Sequence, residues 1–336
     1  MGGHCYLCEG SSLSPLLTGY DRRTARADDY TYFRCDQCGL LFLHPVPSDD
    51  EIRSFYTDNY SPHQNAPHKQ RELKWINRLF VNWIYSTQSN QKPEIVRALL
   101  RPLSRFVMSG TLEPRGDCRL FDIGCGAGAE LRKYRDLGWT VCGLDMSANA
   151  CDACKSDGLR VHQGILDDDP FTGETFDVVV LNHVVEHFAD PLNALRRAAS
   201  YLSKDGLMSL LTPNASATSL SVFGPTWYHL DAPRHLFLFN RKTIRLLGSR
   251  AGLVPVKISS MSSSRAWLES SRISKEIGRL LPKDIQERKK ILDSFNRRRT
   301  ETGKLIRRLV SPLSALCAAV GRGDILKVEF RLDTKT

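Results

Sequence analysis

The chain has 336 residues, 41% of them hydrophobic and 25% charged, with a net charge of +10 at neutral pH. That is enough apolar material for a packed core and excludes a fibrous or disordered chain. No run approaches the ~20 apolar residues of a membrane-spanning helix and no basic-then-apolar leader opens the chain, so the expected location is the cytoplasm. Ten cysteines, four of them in two Cys-x-x-Cys pairs, fit metal ligation in a reducing compartment better than a secreted disulfide framework.

Residues 1–47 contain the two pairs, Cys5 with Cys8 and Cys35 with Cys38. Each pair points two thiolates at one ion, and together they complete the tetrahedral four-thiolate shell of structural zinc. The β-rich run Tyr30-Thr31-Tyr32-Phe33 leads into the second pair, as the hairpin of a zinc ribbon would. A thioredoxin-type redox pair opens a helix within a βαβ unit, a setting neither pair has. His4 lies outside a shell that four thiolates already fill.

Residues 48–116 read as a helical linker or lid. Ser48 is placed to cap a short helix through Asp49, Asp50 and Glu51, whose charges suit a first turn. Tyr56, Tyr60, His63 and His68 follow in a polar loop. Trp75, Ile76, Leu79, Phe80, Trp83 and Ile84 then recur at helical spacing, which predicts one buried face.

From residue 117 onward strands and helices alternate. Arg119 to Ile123 is a strand, Gly124-Cys125-Gly126-Ala127-Gly128 a glycine turn, and Ala129 to Leu137 a helix. Thr140 to Leu144 is a second strand ending at Asp145, Leu159 to Gln163 a third, Phe176 to Leu181 a fourth and Gly206 to Leu211 a fifth. Such alternation predicts an α/β, Rossmann-like, doubly wound sheet with ligands at the carboxyl ends of its strands. The turn lets a ligand lie against the main chain where a Cβ would obstruct it.

Two cofactors compete for this turn, because Gly124, Gly126 and Ala129, with the acidic Asp145 about 20 positions on, also satisfy the looser dinucleotide fingerprint. Asp122 favours S-adenosylmethionine (SAM): a carboxylate at the end of the first strand receives an ammonium group, and dinucleotides have none there. Asp145 suits the ribose hydroxyls of either cofactor. The third feature is the run from Phe176-Asp177 through Asn182-His183 to Glu186-His187. With these motifs the chain resembles the class I SAM-dependent methyltransferases over roughly residues 118–253, and its flanks resemble the zinc-ribbon-bearing subgroup associated with polysaccharide, sugar or secondary-metabolite modification. The resemblance implies a seven-stranded sheet, SAM as cofactor, Asp122, Gly124, Gly126 and Gly128 on the methionine side, Asp145 on the ribose, and Asn182 close to the methionine or methyl group. It also implies an acidic residue near the adenine after the third strand, where this chain has Ile165, followed by Asp167 and Asp168.

Methyl transfer to oxygen or carbon requires an aligned nucleophile and a proton acceptor, for which histidine has the natural pKa. One set of candidates is His183 and His187 with Glu186, expected to share a face of a short helix. The other lies in a loop after the fifth strand, where Trp227, His229, Asp231, Arg234 and His235 are closely spaced. His235 and His229 head the list of bases, and Arg234 suits an anionic part of the acceptor or an ion pair with Asp231.

Between the sixth strand, Leu253 to Ile258, and a delayed seventh, Ile325 to Phe330, lies a helical insertion over residues 262–323. Residues 265–310 hold 14 Lys and Arg against 6 Asp and Glu, so most of the net charge sits here. Ile273, Ile277, Leu280 and Leu281, then Leu305, Ile306, Leu309, Leu313 and Leu316, have helical spacing; that face is expected to pack on the domain, with a homodimer or peripheral membrane contact as the other readings. No specific nucleic-acid partner is expected. The reading as a whole is a methyltransferase acting on a small-molecule or carbohydrate-type acceptor. Its rivals are an NAD-dependent or nucleotide-sugar oxidoreductase and a non-catalytic SAM- or RNA-binding module.

Overall fold

The near-continuous apolar run of the first predicted strand is buried on both faces, the mark of a central strand in a parallel sheet. The computed structural model describes residues 3–23, 28–56, 118–276 and 303–334. Tyr60, His63, His68, the Trp75–Ile84 stripe, Ile277, Leu280 and Leu281 lie outside them, as do the side chains of Leu305, Ile306 and Leu309.

Eleven strands are described: β1 (Leu13–Tyr20), β2 (Asp29–Cys35), β3 (Leu41–Leu43), β4 (Arg119–Ile123), β5 (Thr140–Asp145), β6 (Arg160–Gln163), β7 (Phe176–Asn182), β8 (Leu202–Pro213), β9 (Phe237–Leu238), β10 (Leu253–Met261) and β11 (Ile325–Leu332). The helices are α1 (Asp49–Ser54), α2 (Ala129–Arg135), α3 (Ala148–Ser156), α4 (Pro191–Ser200), α5 (Thr218–Phe223), α6 (Arg241–Arg250), α7 (Ser264–Glu276) and α8 (Gly303–Ala319). One sheet has seven strands in the order β10-β11-β8-β7-β4-β5-β6, and a second has four in the order β1-β2-β3-β9. Strands β4, β5 and β6 are parallel, whereas β11 runs antiparallel to both β8 and β10. This is the predicted Rossmann-like class I arrangement of seven strands, and the delayed last strand, β11, lies between β8 and β10.

The chain divides into two compact units, residues 61–180 with 201–206, and residues 1–60 with 181–200 and 207–336. In the first, Leu120, Leu131, Tyr134, Trp139, Val178 and Val180 belong to one buried cluster. Phe121 packs edge-on against Phe171 and Tyr201, at ring-centroid distances of 5.1 and 5.0 Å. Alternate residues of β4 thus supply both layers of the unit's core, which fixes the end of the strand where Asp122 and the glycine turn lie.

In the other unit the cysteine-bearing segment forms a hairpin, β1 with β2, and β2 continues to β3. The sheet is completed from a distant part of the chain: Leu41 and Phe42 of β3 pair with Leu238 and Phe237 of β9. Ser48 caps α1 through a reciprocal capping box with Glu51, as the sequence predicts. The insertion departs from expectation at α8. There Ser314 and Cys317 face inward, while Leu313 and Leu316 are 50% and 63% exposed, so these two leucines do not form its packing face. Among the described residues no helix is long and apolar enough to cross a membrane.

Candidate functional site

At the carboxyl end of β4, Gly124, Gly126 and Gly128 all have positive φ, at 72°, 51° and 78°. A Cβ on Gly128 would come within 2.7 Å of Cys154 Sγ and 2.9 Å of Leu159 Cδ1, so the turn requires glycine for packing as well as for conformation. The turn is tied to β5: the amides of Gly124 and Cys125 both donate to Leu144 O, at 2.7 and 3.0 Å. Gly126 N–H donates to Asp145 Oδ2 at 2.7 Å, and Ser147 N–H to Oδ1 at 2.9 Å. Asp145 therefore holds the turn in shape and keeps acceptor capacity on each oxygen for hydroxyl donors.

Asp122 is 3% exposed. Burial, reinforced by the negative charges of Glu130 and Asp145, pushes its carboxyl well above the usual carboxylate range. Such a group gains most from a cation brought to it. Asp168, by contrast, accepts from its own neighbour Ile165 N at 2.8 Å, and Ile165 is exposed.

The histidines gather around one buried carboxylate. His183, which follows Asn182 at the end of β7, has φ +57° and precedes a single 3-10 turn, Val185–His187. The three residues are therefore not on one helix face as expected: a left-handed residue followed by a tight turn brings His183 back onto Glu186. His183 Nδ1 donates to Glu186 Oε1 at 3.3 Å, and His235 Nε2 lies 3.9 Å from the same oxygen. His235 Nδ1 donates to His229 O at 2.7 Å, His187 Nδ1 shares a 2.9 Å hydrogen bond with the Tyr56 hydroxyl, and the His183 and His229 rings stack with centroids 6.2 Å apart. All four predicted histidines are thus brought together.

Their electrostatics differ. Burial opposes ionisation of Glu186, but the His183 hydrogen bond and the charges of His183, His235 and His187 prevail and hold it at about 2. Burial pushes His187 down to about 4 and His229 to about 3, and lowers His235 as well. His183 is the open member, its side chain 38% exposed against 9% for His235.

Arg234 is not available to an acceptor. It is 1% exposed, bonds Asp21 through both terminal nitrogens at 3.1 and 3.2 Å, and donates to Phe55 O at 3.1 Å. Its partner is also not Asp231, whose carboxylate takes Arg23 Nε at 2.8 Å. The anchors Asp21 and Arg23 carry no recognisable pattern in the sequence, and Tyr56 stands there only as a member of a polar loop. Glu186 is signalled by the Glu186-His187 pair that closes the motif after the fourth strand, but its place as the shared partner of His183 and His235 is not.

The four predicted metal ligands also converge. Cys5 and Cys38 Sγ are 3.6 Å apart, Cys8 and Cys35 Sγ 3.5 Å, and all four lie within 4.8 Å of one another. Four thiolates bound at ~2.3 Å in a tetrahedron stand about 3.8 Å apart, so the cluster fits zinc. The two knuckles repeat each other: Glu9 N–H donates to Cys5 O and Gly39 N–H to Cys35 O, both at positive φ, 62° and 82°.

Residues 88–258 match the family described as "Methyltransferase domain". A curated "Ubiquinone biosynthesis O-methyltransferase" of Nitrobacter winogradskyi is 36% identical over 109 residues, 31% of this chain and 42% of that protein. The protein of the same name from Bradyrhizobium diazoefficiens is 33% identical over 153 residues, 43% of this chain and 59% of its own. The chain thus spans about half the length of these relatives. Among solved structures, a SAM-dependent methyltransferase from Archaeoglobus fulgidus aligns at 18% identity and a TM-score of 0.42, over 74% of this chain and 98% of that one.

Proposed function

Because the chain belongs to the methyltransferase-domain family, we propose that it transfers a methyl group from SAM to a hydroxyl oxygen of a small-molecule or carbohydrate-type acceptor. The observation that carries the donor reading is Asp122, a buried carboxyl with a raised pKa at the head of a glycine turn. An ammonium group brings the countercharge that burial denies it, and a nicotinamide dinucleotide does not. Gly124, Gly126 and Gly128 give the donor close backbone approach, Asp145 accepts from its ribose hydroxyls, and Asn182 serves the methionine end. The acceptor reading is supported by the O-methyltransferase names of the relatives.

Bound SAM supplies an electrophilic methyl on a sulfonium, and this chain must supply orientation and a proton acceptor. His183 is the member of the cluster best suited to take the proton. Its Nδ1–H is anchored on an ionised, buried Glu186, which fixes the tautomer with the lone pair on Nε2 and stabilises the imidazolium that forms. The acceptor O–H proton passes to His183 Nε2, the oxygen lone pair forms the bond to carbon, and the C–S electron pair returns to sulfur, leaving S-adenosylhomocysteine. His229 and His187, with pKa values pushed down to about 3 and 4, are weak bases at neutral pH and shape the site around His183. Cys5, Cys8, Cys35 and Cys38 hold a structural zinc ion in the N-terminal module of residues 1–47.

The test is calorimetry with SAM and with NAD(H), followed by S-adenosylhomocysteine production from the small-molecule fraction of cells lacking the protein. SAM binding and turnover are expected. NAD(H) binding without SAM binding would return the chain to the oxidoreductase reading. His183→Gln is expected to keep SAM affinity while lowering kcat by a factor of ~100 to 10,000, the usual range for a lost general base.

A further inference from the structure

We propose that Glu186, His187 and His235 form a binding site for a divalent transition-metal ion of the zinc, iron, manganese or cobalt kind, distinct from the four-cysteine site. One carboxylate oxygen of Glu186 and one ring nitrogen from each histidine lie within 4.8 Å of one another. A tetrahedral shell at ~2.1 Å sets such donors about 3.4 Å apart, so no pair needs to close by more than about 1.4 Å. Two imidazoles and one carboxylate select a borderline transition metal over magnesium or calcium, which prefer oxygen shells.

Each donor is presented as a ligand would be. His235 Nδ1–H donates to His229 O at 2.7 Å, leaving Nε2 as the lone-pair nitrogen. His187 Nδ1 is held by the Tyr56 hydroxyl, which commits that nitrogen and leaves its Nε2 without a hydrogen bond among the described residues. Outer partners of this kind orient metal-ligating histidines. The His187 and His235 rings meet edge to face, with centroids 4.7 Å apart. Glu186 Oε2, in a residue that is 0% exposed, has no hydrogen-bond partner among the described residues. A buried, unpaired carboxylate oxygen is costly, and a cation at this position would satisfy it. His183 occupies the other carboxylate oxygen and stays outside the shell.

A dication facing one carboxylate and two neutral imidazoles keeps a net charge of +1 and at least one open coordination position. Both suit an acceptor oxygen that is losing its proton to His183, and in this part alone the inference rests on the transferase reading. Metal binding itself does not, and it is measured without SAM or acceptor.

The experiment is a cobalt(II) titration of the full-length protein stripped with a chelator, followed by absorption and elemental analysis. The expected result is two ions per chain, one with intense thiolate-to-cobalt charge transfer and one without. His187→Ala with His235→Ala should retain the thiolate spectrum and lose the second ion, and Tyr56→Phe should weaken the second ion by about 10- to 100-fold while leaving the first unchanged. The retained thiolate spectrum shows that the variant is folded; if it is lost, the wild-type count and the Tyr56→Phe titration decide. One ion per chain in the wild type, or a second ion indifferent to these substitutions, overturns the proposal. A failed transferase assay leaves the titration standing, and a failed titration leaves the donor reading intact.

Discussion

Asp122, proposed above to meet the donor's ammonium group, also makes stability depend on pH. Its carboxyl pKa is raised by burial and by Glu130 and Asp145, so without donor the folded protein keeps this proton to a higher pH than the unfolded chain does. The group's contribution to stability is therefore fully present below the unfolded value of ~3.9 and is lost as pH rises through the raised folded value. Asp122→Asn should melt at least as high as the wild type near neutral pH and show a flatter melting profile above pH ~4, when thermal unfolding is followed without ligand. The same variant should bind SAM at least tenfold more weakly, a loss of ~1.4 kcal/mol or more; unchanged affinity would remove Asp122 from the donor site. The glycine turn and the placing of Asp122 and Asp145 at strand ends were legible because backbone turns and strand ends leave a local spacing. The closure of Arg234 onto Asp21 was not, since that ion pair joins residues 213 positions apart. Both partners are wholly buried, so Arg234→Met should destabilise by about 3–5 kcal/mol by removing the guanidinium paired with a buried carboxylate, as denaturant unfolding would show.

At the level of elements, the cysteine knuckles act beyond the metal site proposed for them. Leu43 N–H donates to Leu236 O and Leu236 N–H to Glu186 O, both at 2.8 Å, while the Tyr32 hydroxyl donates to His235 O at 2.8 Å. The sheet headed by the four cysteines therefore sets the backbone that carries His235. Stripping the metal from the thiolates should raise amide exchange at residues 41–43 and at 236–238, while β4 and β5 stay protected; hydrogen exchange resolved by segment measures this. Within the knuckles, Glu9 holds the left-handed position that Gly39 holds in the second copy. Glu9→Gly should stabilise the protein by ~0.5–1 kcal/mol, detectable as a higher denaturation midpoint. Strands and knuckles were readable from period and spacing alone. The 3-10 turn at Val185–His187 and the outward-facing Leu313 and Leu316 were not, because helical spacing does not say which face has a neighbour.

For the molecule as a whole, the succession of the seven strands of the larger sheet was legible, since alternation of strands and helices leaves few topologies open. The partnership of β3 with β9 was not, because two residues pairing across almost 200 positions have no periodicity to betray them. That partnership has a consequence for the time course of synthesis. The cysteine-bearing hairpin leaves the ribosome early, with the outer edge of β3 unpaired until Phe237 and Leu238 follow. Throughout that interval a short apolar edge, Leu41-Phe42-Leu43, offers its free amides and carbonyls to any extended strand. The last strand of this small sheet and the segment bearing His235 thus arrive together, so the open edge of β3 is covered at the moment the histidine cluster becomes complete.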